Sequence, residues 1–241
     1  DNFNGFVVRK KEIKSLENHI FNEGSSKLLN IHGQGGVGKT AIARKLCERI
    51  VANQRQITHI IWISAKDKKF DLNIPLGPVE IDSIQNSVNH LYAAILAVEH
   101  NLSLDEVFEN FVDPDSEEVD ITTLVKQEID PIINNPNNSI VIVIDNLETL
   151  SEYDKESFTD FFIKINKYKG IFKVIATSRI FENHFSNQKI DHGFSKSDSQ
   201  LFLQNALRND LKKDYLLAKL PAILDICDKL ENYPLRLAHL V

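Results

Sequence analysis

The chain is short of several residue types, and each shortage narrows what it can be. Its 241 residues contain no methionine and begin at Asp1, so we expect a piece of a longer protein. Two cysteines, Cys47 and Cys227, offer no disulfide framework and fit a reducing, cytoplasmic setting. No apolar run reaches membrane-spanning length and no signal peptide opens the chain, so no membrane partner is expected. Cations are outnumbered, 28 Lys and Arg against 34 Asp and Glu, for a net charge of −6. That balance argues against broad nucleic-acid binding, and nucleic acid is an unlikely partner for this module. Glycine is scarce too, at nine residues, yet four of them fall between positions 33 and 38.

Those four belong to the octet Gly33 to Thr40, GQGGVGKT, which fits the pattern of a glycine, four free positions, then Gly-Lys-Ser/Thr. Gly33, Gly35, Gly36 and Gly38 keep the loop free of bulk, so that backbone N–H groups can converge on phosphate oxygens. The following helix adds its positive dipole end. Lys39 supplies a mobile charge for the terminal phosphates and Thr40 a hydroxyl ligand for Mg2+. Val37 and Ala41 complete the nucleotide-binding stretch. The context is right: Leu28 to His32 is a short apolar run, and Thr40 to Asn53 carries Ile42, Leu46, Ile50 and Val51 at helical spacing.

Ser139 to Asp145, SIVIVID, reads as a central parallel strand buried on both faces, with an acid at its carboxyl end. Asp145 there is placed to hold Mg2+. Many P-loop ATPases carry a second carboxylate immediately after it; here that position is Asn146, an amide that takes no proton at neutral pH. Glu148 is the nearest carboxylate, open to two readings: a general base, or a solvated residue at a turn. These residues predict nucleotide and Mg2+ binding more strongly than rapid hydrolysis.

Ile57 to Ala65, with Trp62 as packing, and Phe172 to Thr177 read as further strands. Lys66 to Gly77 reads as a loop, with Pro75 and Pro78 breaking the pattern, and Asp113 to Asp120 as an acidic solvated loop. Helical spacing marks Ser83 to Glu99, Leu104 to Phe111, Ile121 to Ile133 and Phe158 to Ile165. Arg179 follows the Phe172 strand, where it either senses a γ-phosphate or pairs with an acid such as Glu182. The fold class is α/β, a P-loop three-layer sandwich with a parallel central sheet, over residues 1–194. From Ser195 only helical signals remain, with Pro221 near the start of the later helix, so a small helical domain is expected over 195–241.

The order of motifs resembles the STAND class of P-loop ATPases, specifically its NB-ARC-like members. Phe6 to Glu12 looks like their F-V-G-R-x-x-E lead-in, and GQGGVGKT matches their phosphate loop. Val143 to Asn146 corresponds to their Asp-ended strand, Ala176 to Arg179 to their sensor, and Asn232 to Leu237 is similar to their G-L-P-L-A-L segment. The resemblance implies that Val8 and Arg9 lie near the adenine and that Pro234 packs on it; the other reading of Pro234 is an ordinary helix start. It implies a switch in which ADP locks a closed monomer, exchange for ATP drives self-association, and hydrolysis is slow. Effector and sensor domains of such a protein would lie outside this chain. Val8 in place of glycine, Asn146 in place of an acid, and Asn232-Tyr233 in place of Gly-Leu depart from that pattern. Residues 66–138 carry no residue-by-residue match. The alternatives are an AAA+-type motor or loader ATPase acting on nucleic acid, a non-catalytic platform with structural nucleotide, and, more weakly, a small-molecule kinase.

Overall fold

A computed structural model of the chain describes residues 9–22, 24–53, 57–64, 79–81, 88–103, 106–107, 125–150, 152–206, 220–229 and 231–234. The strands are β1 (Leu28–His32), β2 (His59–Ser64), β3 (Val79–Ile81), β4 (Ile140–Asp145), β5 (Ile171–Ser178) and β6 (Ser186–Lys189). The helices are α1 (Lys10–Phe21), α2 (Lys39–Asn53), α3 (Val88–His100), α4 (Asp130–Asn134), α5 (Glu152–Lys164), α6 (Lys196–Ala206) and α7 (Leu220–Lys229). The six described strands form one sheet in the order β3-β2-β4-β5-β1-β6, parallel at every pairing.

The β-branched run of β4 explains why the sheet is covered on both faces. Successive side chains point to opposite sides. Ile140, Ile142 and Ile144 join one core with Leu91 and Leu96 of α3 and with Phe158, Phe161 and Phe162 of α5. Val141 and Val143 join the other core, with Ile13, Leu16 and Ile20 of α1 and Ile42, Leu46 and Ile50 of α2. The spacing of those last six, three or four residues apart, is the apolar stripe that docks each helix. Burying each such side chain contributes about 1.5–3 kcal/mol. Trp62 is buried in the second core, as packing. Cys47 is fully buried there, and burial pushes its thiol up to about 12, an inert packing residue.

Three strands match the expected ones to within two residues at either end, and β1 matches outright. Strands β3 and β6 were not expected. Strand β6, Ser-Asn-Gln-Lys, has no apolar alternation; it pairs through its backbone at the sheet edge, beside β1. Asn30, a polar residue fully buried in β1, receives it, donating Nδ2 to Asn187 Oδ1 at 2.8 Å and to the Ile180 carbonyl at 3.1 Å. Helix α1 was also unexpected, and α5 begins six residues before the predicted start. The 121–133 stretch is described from Val125, as a π-helical turn leading into α4. Of the predicted 104–111 helix, residues 106–107 are described and helical; the acidic stretch 113–120 lies outside the described residues.

After β6 the described elements are helices. Helices α6 and α7 enclose a small core of Phe194, Leu203, Leu224 and Cys227. No helix among the described residues is long and apolar enough to cross a membrane.

Candidate functional site

Because the strands are parallel, their carboxyl ends share one edge, and the glycine-rich octet Gly33 to Thr40 lies on it. It leaves β1 at Gly33 and enters α2 at Lys39. Gly33 has φ 151° and its N–H donates to the Ser178 carbonyl at 3.2 Å. A Cβ there would come within 2.0 Å of the Ile190 carbonyl, so the turn admits no side chain. Gly38, with φ 95°, faces Pro234, whose Cγ would lie 3.7 Å from an added Cβ. Lys39 is 8% exposed; its Nζ donates to the carbonyls of Gly33 at 2.8 Å and Gln34 at 3.0 Å. The loop's own oxygens thus hold the ammonium where anionic phosphate oxygens could compete for it.

Strand β5 lies between β1 and β4, and its tip joins the two. Thr40 Oγ1 donates to Asp145 Oδ1 at 2.8 Å. Thr177 Oγ1 donates to the same oxygen and accepts from the Asn146 backbone N–H at 3.0 Å. Asn146 Nδ2 donates to Asp145 Oδ2 at 2.9 Å. Asn146 adopts φ 60°, a left-handed conformation that asparagine tolerates well. The residue in place of the second acid therefore turns the chain and orients Asp145. A hydroxyl and a carboxylate in contact are hard oxygen donors, the set that fits Mg2+.

Glu148 and Arg179 form an ion pair, Nε to Oε1 at 3.3 Å. Glu148 is largely buried and its Oε2 has no hydrogen-bond partner, while Arg179 is exposed. The Arg179 guanidinium lies 3.9 Å from where a Cβ of Gly35 would sit, so it borders the loop. Of its two sequence readings, the geometry shows the pairing with an acid, though that acid is Glu148 and not Glu182. His32, at the end of β1, stacks edge-on against Phe181 with centroids 6.3 Å apart. Burial, then Lys189 and Lys39, lower its pKa and favour the neutral ring.

Beside the glycine loop lie residues from the two ends of the described chain. Arg9 is 2% exposed in a left-handed conformation, φ 65°. Its Nη2 donates to the carbonyls of Val37 at 3.1 Å and His192 at 2.7 Å, and Nη1 pairs with Glu12 at 3.1 Å. Its guanidinium lies 5.2 Å from the Phe194 ring centroid. Burial lowers the Arg9 pKa against the pull of Glu12. Val8 lies outside the described residues. Ala41 sits in the first turn of α2.

Pro234 is positioned by its predecessors. Glu231 and Asn232 are both left-handed, with φ 56° and 54°. Asparagine is tolerated where the resemblance expects glycine because this backbone conformation is open to both. Its side chain accepts from Ser199 Oγ of α6 at 2.8 Å and donates to Asp228 of α7 at 3.0 Å. Its carbonyl accepts from the Phe194 N–H at 2.8 Å. Tyr233, in place of leucine, is buried in the α1/α2 core. Residues 192–194 and 231–234 therefore cross beside the loop. Sequence reading assigned no role to Thr177, Asn232 or Phe194. The signal for Thr177 was its place two residues before Arg179, inside the strand tip itself.

The AAA ATPase domain family matches residues 5–163. No curated protein sequence matches the chain. Among solved structures, the chain is similar to Aeropyrum pernix ORC1 in complex with DNA, with TM-score 0.55, 12% identity, and coverage of 97% of this chain and 58% of that one. It is similar to Drosophila ORC bound to DNA, with TM-score 0.51, 10% identity, and coverage of 95% and 53%. It also resembles Cdc6p from Pyrobaculum aerophilum, with TM-score 0.51, 12% identity, and coverage of 89% and 49%. At these identities the likeness shows the fold, and the chain spans about half the length of those proteins.

One expectation stands without support, and another is corrected. The expected STAND and NB-ARC placement gains no support from these comparisons, because a phosphate loop, an Asp-ended strand and an Arg at the next strand tip can mark a P-loop ATPase without marking its branch. The expectation that nucleic acid is an unlikely partner is overturned by neighbours solved with DNA bound. Net charge is a global sum, whereas contact with nucleic acid is a local one. With a phosphate-loop site at the carboxyl edge of a parallel sheet and a family match over most of its length, the chain belongs to the AAA ATPase domain family.

Proposed function

We propose that the chain is the ATP-binding and hydrolysing module of an AAA+-type motor or loader ATPase that acts on nucleic acid. The observation that carries the ATPase reading is the contact of Thr40 and Asp145, held by Thr177 and Asn146 directly behind the glycine loop. The nucleic-acid part is supported by the fold shared with DNA-bound ORC structures along nearly the whole chain.

In this reading the backbone amides of the loop, with Gly35 and Gly36 leaving space, hold the phosphates. Lys39 moves from the Gly33 and Gln34 carbonyls onto the terminal phosphates. Thr40 and Asp145 would hold Mg2+, which would neutralise phosphate charge when bound. Arg179 turns from Glu148 to the γ-phosphate, and Glu148, released, accepts a proton from the attacking water. Arg9, Val37 and Pro234 enclose the base side.

Hydrolysis by the purified chain is measured with and without DNA, and Lys39→Ala serves as the site control. Expected are stimulation by DNA and, in Lys39→Ala, lost nucleotide binding with an unchanged circular dichroism spectrum. Unfolding of Lys39→Ala would instead mark the nucleotide as structural. A second reading, the STAND-type switch with slow turnover, is favoured by Asn146 in place of an acid and by the Glu148–Arg179 pair. Stoichiometric ADP released on denaturation, with hydrolysis indifferent to DNA, would select it over the first.

A further inference from the structure

The edge of the sheet opposite the phosphate loop carries a cavity of about 650 Å3. It is built from the segments that lead into four parallel strands: Lys27 before β1, Thr58 before β2, Asn137 and Asn138 before β4, and Lys169 and Phe172 at β5. None of the phosphate-loop machinery lies there.

Its cations are compensated poorly. Lys27 donates to the Tyr168 carbonyl at 2.5 Å. Behind it Lys173, 4% exposed, donates to Ser25 Oγ at 2.6 Å and to the Ser26 carbonyl at 2.9 Å. Neither makes an ion pair among the described residues, and both rely on neutral oxygens. Burial, then Lys27, hold the Lys173 ammonium down to about 8. Lys169 stands exposed at the rim. Glu99 lies at the other rim, accepting from Asn138 at 3.4 Å. A buried cation and a half-buried neighbour without a counter-charge gain stability from any anion that reaches them.

We infer that this cavity binds the phosphodiester backbone of single-stranded nucleic acid, with Lys27 and Lys169 on phosphates and Phe172 offering a face for a base. Cations, amide donors and a half-buried aromatic ring in one groove are the combination such a strand requires. The inference rests on the nucleic-acid reading above and adds a location that the fold likeness does not supply.

The test uses the full chain and a fluorescently labelled single-stranded oligonucleotide, followed by anisotropy over about a fourfold range of salt. Lys169→Glu removes an exposed cation, Lys27→Gln a half-buried one, and Lys11→Glu on α1, toward the phosphate-loop edge, is the charge control. Each lost phosphate contact is expected to flatten the salt slope by about 0.7 and to weaken binding roughly fivefold at about 0.1 M salt. ATP binding and melting temperature stay unchanged in Lys169→Glu, and Lys11→Glu binds like the parent. If the parent binds and Lys169→Glu and Lys27→Gln bind equally well, this site is wrong while the proposed function stands. If the parent binds no single-stranded oligonucleotide, this inference falls, and DNA-stimulated hydrolysis then decides the proposed function.

Discussion

Replacing Thr177 by valine removes one hydroxyl from the centre of the site at nearly constant volume. That hydroxyl donates to Asp145 and accepts from the Asn146 N–H, and Thr177 is fully buried. Loss of a hydrogen bond to a charged group costs about 1.5–3 kcal/mol, and a buried N–H left without a partner about 1–3 kcal/mol. Both losses come from one atom and the tip relaxes in part, so the expected sum is about 2–4 kcal/mol. At roughly 2–4 °C per kcal/mol for a chain of this size, the melting temperature falls by about 4–16 °C. Thr177→Ser keeps the hydroxyl and gives up a methyl worth about 0.8 kcal/mol, a fall of about 2–3 °C. Thermal unfolding by circular dichroism, without added nucleotide, ranks the three proteins. If the serine variant is the less stable of the two, the position is held by packing and the hydrogen-bond reasoning is refuted.

Two more predictions address other parts of the molecule. Glu148→Gln is expected to lower the ATP turnover number by about 10²–10⁴ with nucleotide affinity retained, measured by steady-state hydrolysis and by titration; unchanged turnover would leave Glu148 as a partner of Arg179 and no more. The lowered pKa of Lys173 gives a sign for pH dependence: below about pH 8 it is charged folded and unfolded alike, and between about 8 and 10.5 the unfolded chain binds the extra proton. Stability therefore rises through that window by at most about 3 kcal/mol relative to Lys173→Met, seen in urea titrations at several pH values. A parent protein whose pH slope matches that variant would show that Lys173 is not held low.

What the sequence made legible was whatever depends on local composition. Gly33 to Thr40, the apolar run to Asp145 and the Arg179 strand tip stand out because each must be contiguous to function, and the structure brings them to one edge. The 188–194 segment was illegible because its role is relational: Ile190 matters through a carbonyl that closes over Gly33, and His192 through a carbonyl taken by Arg9. Strand β6 escaped for the same reason, since backbone pairing to β1 asks nothing of side-chain pattern. Asn232 read as a departure because a letter hides a dihedral angle; at φ 54° it does what glycine does and adds two hydrogen bonds.

The crossing of residues 192–194 with 231–234 has a mechanical consequence. Gly193 packs so tightly there that a Cβ would meet the Glu231 carbonyl at 2.0 Å, and the Phe194 N–H is bonded to the Asn232 carbonyl. Helices α6 and α7 thus leave and return through one fulcrum, with Pro234 as its short arm over Gly38 and the helical pair as its long arm. A change at this junction would be felt both at the glycine loop and in the helical pair.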